Sequence, residues 1–224
     1  MSLNTQEQVR CPKCGALNDI TLWQSVTADD SEDLKSDLLA GRLNVLCCTQ
    51  CQTRALVPTP LLYRDTKNKL LISLCPTSDP DEAKKNFDTV RESSRRSGEL
   101  DDLAGYRLRF VSSYNDLMEK ILIFDAGLDD KTIEIIKLMV LMQEPDKMQS
   151  RTALFGRRTD DGSIEIMVKS TDGAVFTSRT PGETYGIILR EMQNSGIKLA
   201  SRDWEVVDRG FAVRALGGVN NIGE

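Results

Sequence analysis

The stretch Cys11-Pro12-Lys13-Cys14-Gly15, answered by Cys48-Thr49-Gln50-Cys51, decides how the first third of this chain folds. Each Cys-x-x-Cys offers two thiolates from one tight turn, and two such turns complete a tetrahedral ligand set for a soft divalent cation. Gly15 follows the first pair where the turn asks for a positive φ, which glycine adopts without strain. The 33 residues between Cys14 and Cys48, positions 15 to 47, exceed the ~15–20 of a plain ribbon. One strand and one helix account for the excess. The pattern predicts one structural Zn2+ per chain, held by Cys11, Cys14, Cys48 and Cys51 and contributing on the order of 10 kcal/mol to folding. Four protein ligands leave no position for a catalytic water. Cys47 adjoins Cys48 and is the alternative third ligand, although the Cys-x-x-Cys spacing favours Cys48. Cys75, at the end of an apolar run, reads as a small buried hydrophobe.

Working outward, residues 1–10 are polar and patternless and read as a disordered lead-in. They lack the apolar core of a secretory signal, so a cytoplasmic location is expected. Asn18 to Thr27 alternates Ile20, Leu22 and Gln24 against Thr21, Trp23 and Ser25, a strand period. Ser31 to Ala40 reads as a short helix stopped at Gly41. Arg54 to Val57, Leu61 to Arg64 and Lys69 to Leu74 are three further strands. Residues 1–76 are thus expected to form a zinc-ribbon-like β module with an inserted helix.

Residues 77–148 open on a charged stretch, 78–102, read as a surface helix plus linker and as the domain boundary. A strand from Arg107 to Val111 leads into a helical hairpin. Leu117, Ile121, Phe124 and Leu128 recur at helical spacing, Gly127 breaks the first helix, and Asp129 or Asp130 caps the second. The helix from Thr132 to Met142 is apolar on nearly every side and must be covered. Either the rest of the chain or a second copy covers it, which makes Thr132 to Met142 the candidate face for a homo-oligomer.

Residues 149–224 read as a small α+β domain. Asp161-Gly162 and Asp172-Gly173 punctuate a three-stranded meander. Thr180, Pro181 and Glu183 suggest a capping box opening a helix that stops at Gly196. Trp204 to Val207 and Phe211 to Leu216 read as two more strands, and the final GGVNNIGE as a mobile tail. The fold class is α+β.

At 40% hydrophobic and 28% charged residues, the 224-residue chain has the balance of a soluble globular protein. Its longest apolar run, Ile133 to Met142, is interrupted by Glu134 and Lys137 and falls short of a membrane span. The chain has no histidine, which removes the commonest general base and every Ser-His or Cys-His pair. The adjacent acidic pairs read as caps and turns, not as a hydrolase site. Net charge is 29 − 34 = −5, with the acidic excess in the central third. A chain without a basic stripe is a poor general nucleic-acid binder. The Phe124 to Leu138 stretch resembles a helix-turn-helix, but its second helix lacks the polar face a recognition helix needs.

Several features together resemble the CpXC family of bacterial and archaeal proteins: Cys11-Pro12-Lys13-Cys14-Gly15, Trp23-Gln24-Ser25, the LLAGRLNVLCCTQC run, Leu61-Leu62-Tyr63-Arg64-Asp65, and the SYNDLMEKILIFDAGLDDKTIEIIKL stretch. The resemblance covers about residues 10–142. It implies a zinc-binding domain joined to a helical segment in a cytoplasmic protein. One departure is Thr49, where the family carries proline after the first cysteine of the second pair. The resemblance does not extend to residues 151–224, which it leaves unplaced.

The leading expectation is a non-enzymatic zinc protein that binds another macromolecule, most naturally a protein. Behind it stands a nucleic-acid-binding ribbon using Lys13, Arg54, Arg64, Lys67 and Lys69. A thiol redox protein using its Cys-x-x-Cys pairs is the third reading. In thioredoxin-like folds, however, that motif opens a helix, whereas Gly15 and a strand pattern follow it here.

Overall fold

At each cysteine pair the chain reverses as a hairpin, and the first unit grows from those two hairpins. A computed structural model describes residues 1–30, 32–98 and 103–219. Strand β1 (Leu3–Arg10) pairs antiparallel with β2 (Leu17–Thr27), ending with Arg10 opposite Leu17. The expected disordered lead-in is therefore a strand. Its residues are mostly exposed, so no hydrophobic alternation marks it. It is held by the backbone ladder and by polar cross-strand pairs: Gln6 Nε2 donates to Thr21 Oγ1 (2.8 Å) and Gln8 Nε2 to Asp19 Oδ1 (3.0 Å).

Helix α1 (Glu32–Leu39) is the inserted helix; Ser31, where the sequence would start it, lies outside the described residues. Strands β3 (Val45–Cys47) and β4 (Arg54–Leu56) form the second hairpin. Next come β5 (Leu61–Asp65), parallel to β2, and β6 (Leu70–Leu74), antiparallel to β5. The polar stretch that follows holds α2 (Pro80–Ser97), whose first turn is capped by Asp79 accepting from the Asp81 N–H. The remainder of the expected linker, residues 99–102, lies outside the described residues. Strand β7 (Arg107–Val111) runs parallel to β6 and completes a five-stranded sheet ordered β1-β2-β5-β6-β7. All five residues of β6 are buried, as befits a strand flanked by partners on both sides.

The chain divides into two compact units. The first comprises Met1–Met118 with Ser201–Glu205; the second comprises Glu119–Ala200 with the chain from Val206 onward. Helix α3 (Tyr114–Asp125) spans the boundary. Helix α4 (Asp130–Met142) is capped by Asp129, whose carboxylate accepts from the Lys131 and Thr132 N–H groups.

Eleven of the 13 residues of α4 are buried, so the second unit itself covers the apolar helix. One side packs Ile133, Ile136 and Val140 against Ala153, Phe155, Ile166 and Val168 of a three-stranded sheet. That sheet comprises β8 (Arg151–Arg158), β9 (Ile164–Ser170) and β10 (Val175–Thr180), in the order β10-β9-β8. Another side packs Ile135 and Leu138 against Met192 of α5 (Gly182–Asn194) and Ala212 of α6 (Arg209–Val219). A short 3-10 helix, Pro145–Ser150, joins α4 to β8.

Two local expectations fail in the second unit. Thr180 does not cap α5: it ends β10 opposite Ile164, and Pro181 occupies the cap position with no side-chain hydrogen bond. Phe211 to Leu216, expected as a strand, lies within α6. Asp208 starts that helix, its Oδ1 accepting from the Phe211 N–H (2.9 Å) and its carbonyl from the Ala212 N–H (3.1 Å). Ala212, Ala215 and Leu216 then share one face at helical spacing, a pattern that a short apolar run does not separate from a strand. Of Trp204 to Val207, only Glu205 pairs, forming a single parallel bridge with Arg109. Residues 220–224, most of the expected mobile tail, lie outside the described residues. Among the described residues no helix is long and apolar enough to cross a membrane.

Candidate metal centre

The first hairpin turns through Cys11 and Cys14, directly after β1, and the second through Cys48 and Cys51, between β3 and β4. Both turns share one hydrogen-bond scheme. Gly15 N–H donates to the Cys11 carbonyl (2.9 Å) and Cys11 N–H to the Ala16 carbonyl (2.8 Å). Likewise Gln52 N–H donates to the Cys48 carbonyl (2.9 Å) and Cys48 N–H to the Thr53 carbonyl (2.9 Å). In each case the residue after the second cysteine is left-handed: Gly15 at φ 74° and Gln52 at φ 57°. Glycine takes that conformation freely, so the first turn matches the sequence reading; glutamine takes it only under constraint from the surrounding bonds.

These turns bring the sulfurs of Cys11, Cys14, Cys48 and Cys51 within 4.8 Å of one another. Contacts cross between the turns: Cys11 to Cys51 at 3.5 Å and Cys14 to Cys48 at 3.6 Å. A tetrahedron with metal–sulfur bonds of about 2.3 Å has edges of about 3.8 Å, so the cage has the size of a tetrathiolate metal site. Cys48 is buried in this cluster. Cys47, the last residue of β3, is exposed and lies outside it, whereas Cys48 begins the turn. Cys75, just after β6, is partly buried, and that burial pushes its thiol pKa up.

As bare thiols Cys14, Cys48 and Cys51 are unequal. The Thr53 hydroxyl and backbone N–H draw Cys51 down to about 6. The Cys51 backbone N–H lowers Cys48. The Ala16 backbone N–H also draws on Cys14, but the Cys51 sulfur, burial, and the Cys48 and Cys11 sulfurs push it up to about 12. Crowded sulfurs resist joint ionisation, and a divalent cation among them removes that resistance.

Two asparagines with no sequence signature build the frame. Asn18, on β2 and buried, ties the turns together. Its amide donates to the Ala16 carbonyl (2.9 Å) and reaches the Cys48 sulfur (3.8 Å), while its Oδ1 accepts from the Thr49 N–H (2.9 Å) and hydroxyl (3.1 Å). A proline at 49 would offer neither donor, so this brace depends on Thr49. Asn44, left-handed at φ 55° and buried, mimics a strand partner for β2. It accepts from the Trp23 N–H (2.8 Å) and donates to the Trp23 carbonyl (3.0 Å), fixing the start of the second hairpin. Behind the sulfurs, Ile20, Leu22 and Leu46 close the site with apolar surface.

Residues 9–137, more than half of the chain, match the family model described as CpXC protein. The chain belongs to the CpXC family. Neither a curated protein nor a solved structure matches it. In this CpXC protein the tetra-cysteine metal-binding site lies wholly inside the matched region, and the family match leaves residues 138–224 unassigned.

The basic residues singled out from the sequence are all exposed. Lys13 sits in the first cysteine turn and Arg54 just after the second; Arg64, Lys67 and Lys69 belong to the β5–β6 hairpin. Arg64 lies over the Tyr106 ring, 5.9 Å from its centroid. Tyr63 is fully buried, whereas Trp23 is only half-buried.

Proposed function

We propose that this protein is a zinc-stabilised, non-enzymatic module that binds another protein. The cage of four sulfurs carries the reading: it supplies a full tetrahedral set from the chain itself, so the ion it holds has no position left for water or substrate. Zn2+ is the ion of choice for such a set because it has no redox chemistry and prefers four soft ligands. Its work is to pin two hairpins that bury little apolar surface of their own. Around the cage those hairpins expose Leu17 and Leu56, apolar side chains suited to a protein surface. Against redox exchange, sulfur contacts join the two turns to each other, and each pair sits in a hairpin turn with no helix opening from it.

Native mass spectrometry beside denaturing mass spectrometry tests the metal half. One zinc per chain with every cysteine reduced is expected; metal-free protein with oxidised pairs would replace this reading with thiol exchange. For the partner half, an interaction that disappears on chelation and returns with Zn2+ is expected. The exposed Lys13 and Arg54 beside the cage favour nucleic acid as the second reading. Titration with RNA and DNA at low salt, where phosphate contacts are strongest, decides between the two.

A further inference from the structure

Between Ala200 and Val206 the chain leaves the second unit for five residues, Ser201–Glu205, and joins the first. There Glu205 forms a single parallel bridge with Arg109 at the outer edge of β7. Phe110 N–H donates to the Glu205 carbonyl (2.9 Å) and Glu205 N–H to the Leu108 carbonyl (3.1 Å). One aromatic side chain anchors the segment: Trp204 is 5% exposed, packed on Leu71 and Leu108 with Phe87, Val90 and Tyr106 around it. Its indole N–H donates to Ser94 Oγ on α2 (2.9 Å).

A carboxylate flanks the anchor on each side. Asp203 accepts from Arg91 Nε (2.6 Å) and from Arg95, both on α2. Glu205 accepts from Nη1 of the fully buried Arg109 (2.8 Å). Two backbone hydrogen bonds to a sheet edge, one aromatic in a pocket and charged pairs at either side are the elements by which grooves recognise extended peptides. The first unit thus holds a groove between α2 and β7 whose specificity is legible in its occupant.

We propose that this groove is a recognition site for extended protein segments that present an aromatic side chain between two carboxylates, and that Ser201–Glu205 is its resident, displaceable ligand. The proposal deepens the protein-binding half of the function above, and is independent of the identity of the metal. Because the resident segment is tethered, its effective concentration is on the order of millimolar, which keeps the groove closed against weak competitors. A partner opens it by carrying the same chemistry with higher affinity, or after the tether is loosened.

The test uses the full chain and a fluorescent peptide with the sequence of residues 199–207, followed by anisotropy. Trp204→Ala weakens the resident and is expected to raise peptide affinity at least tenfold over wild type. The same peptide with its tryptophan replaced by alanine should lose that binding, as should the Trp204→Ala protein carrying Arg91→Ala and Arg95→Ala. Asp203→Ala, which keeps the anchor and loosens only the rim, should give a smaller gain and decides the matter if Trp204→Ala does not fold. No gain in a folded variant, or a gain indifferent to the peptide's tryptophan, overturns the proposal. Zinc content measured on the same samples keeps failure of the groove separate from failure of the metal reading.

Discussion

Lys137→Met should loosen the second unit by about 3 kcal/mol. Lys137, on α4, places its ammonium 2.9 Å from both Glu119 Oε2 and Glu134 Oε1, and all three side chains are about nine-tenths buried or more. Removing one partner of a buried ion pair costs about 3–5 kcal/mol, because the charge left behind is uncompensated. Both carboxylates keep some support, which places the cost at the low end. Glu119 Oε1 still accepts from the Phe155 N–H at 2.5 Å, and Glu134 still meets Lys120 at 3.3 Å.

The assay is hydrogen exchange by mass spectrometry on peptides from α4, since exchange reports the free energy of opening in one region. A loss of about 3 kcal/mol corresponds to roughly a hundredfold faster exchange. Adding Glu119→Gln retains an acceptor for Phe155 and removes one orphan charge, so the double variant should recover most of that loss. Exchange of α4 in Lys137→Met within fivefold of wild type would refute the claim that these charges depend on one another.

Cys48→Ser should abolish stoichiometric metal binding while Cys47→Ser leaves it intact, read by native mass spectrometry, because only the Cys48 sulfur lies in the cage. Asn18→Leu should weaken metal affinity about 10–100-fold in a chelator competition, by removing the amide that braces Cys48 and Thr49. Chelating the metal should unfold the two cysteine hairpins first, seen as fast exchange in β1 and β3 before β6. Asp203→Asn tests the pH dependence. Burial opposes the Asp203 charge, yet Arg91, the Trp204 backbone N–H and Arg95 outweigh it and hold the carboxyl below its ordinary value. Its stabilisation is therefore complete above the unfolded carboxyl's pKa and is lost as pH falls through the lower folded value. The melting-temperature gap between wild type and Asp203→Asn should be constant near neutrality and close in acid.

Local chemistry was legible wherever the signal lay in neighbouring residues. The Cys-x-x-Cys turns, the Asp-Gly hairpins of the β8–β10 meander, the Asp129 cap and the Gly127 break all depend on contacts within a few positions. Each appears where the sequence places it. Strand β1 escaped because its partner, not its composition, makes it a strand. Helix α6 escaped because six apolar-leaning residues fit either period until Ile135 and Leu138 offer a helix face to pack on.

By itself, then, the sequence determined that two Cys-x-x-Cys turns belong to one site, an α+β fold class and the apolar helix that had to be covered, since residue type and spacing are enough for each. The tertiary structure alone decided which cysteine of the Cys47-Cys48 pair faces the cage, that Asn18 braces both turns across 30 residues, and that five residues near the C-terminus close the β7 edge. Those depend on which surfaces meet after the chain has folded, and contacts between positions far apart in sequence leave no periodic trace in it.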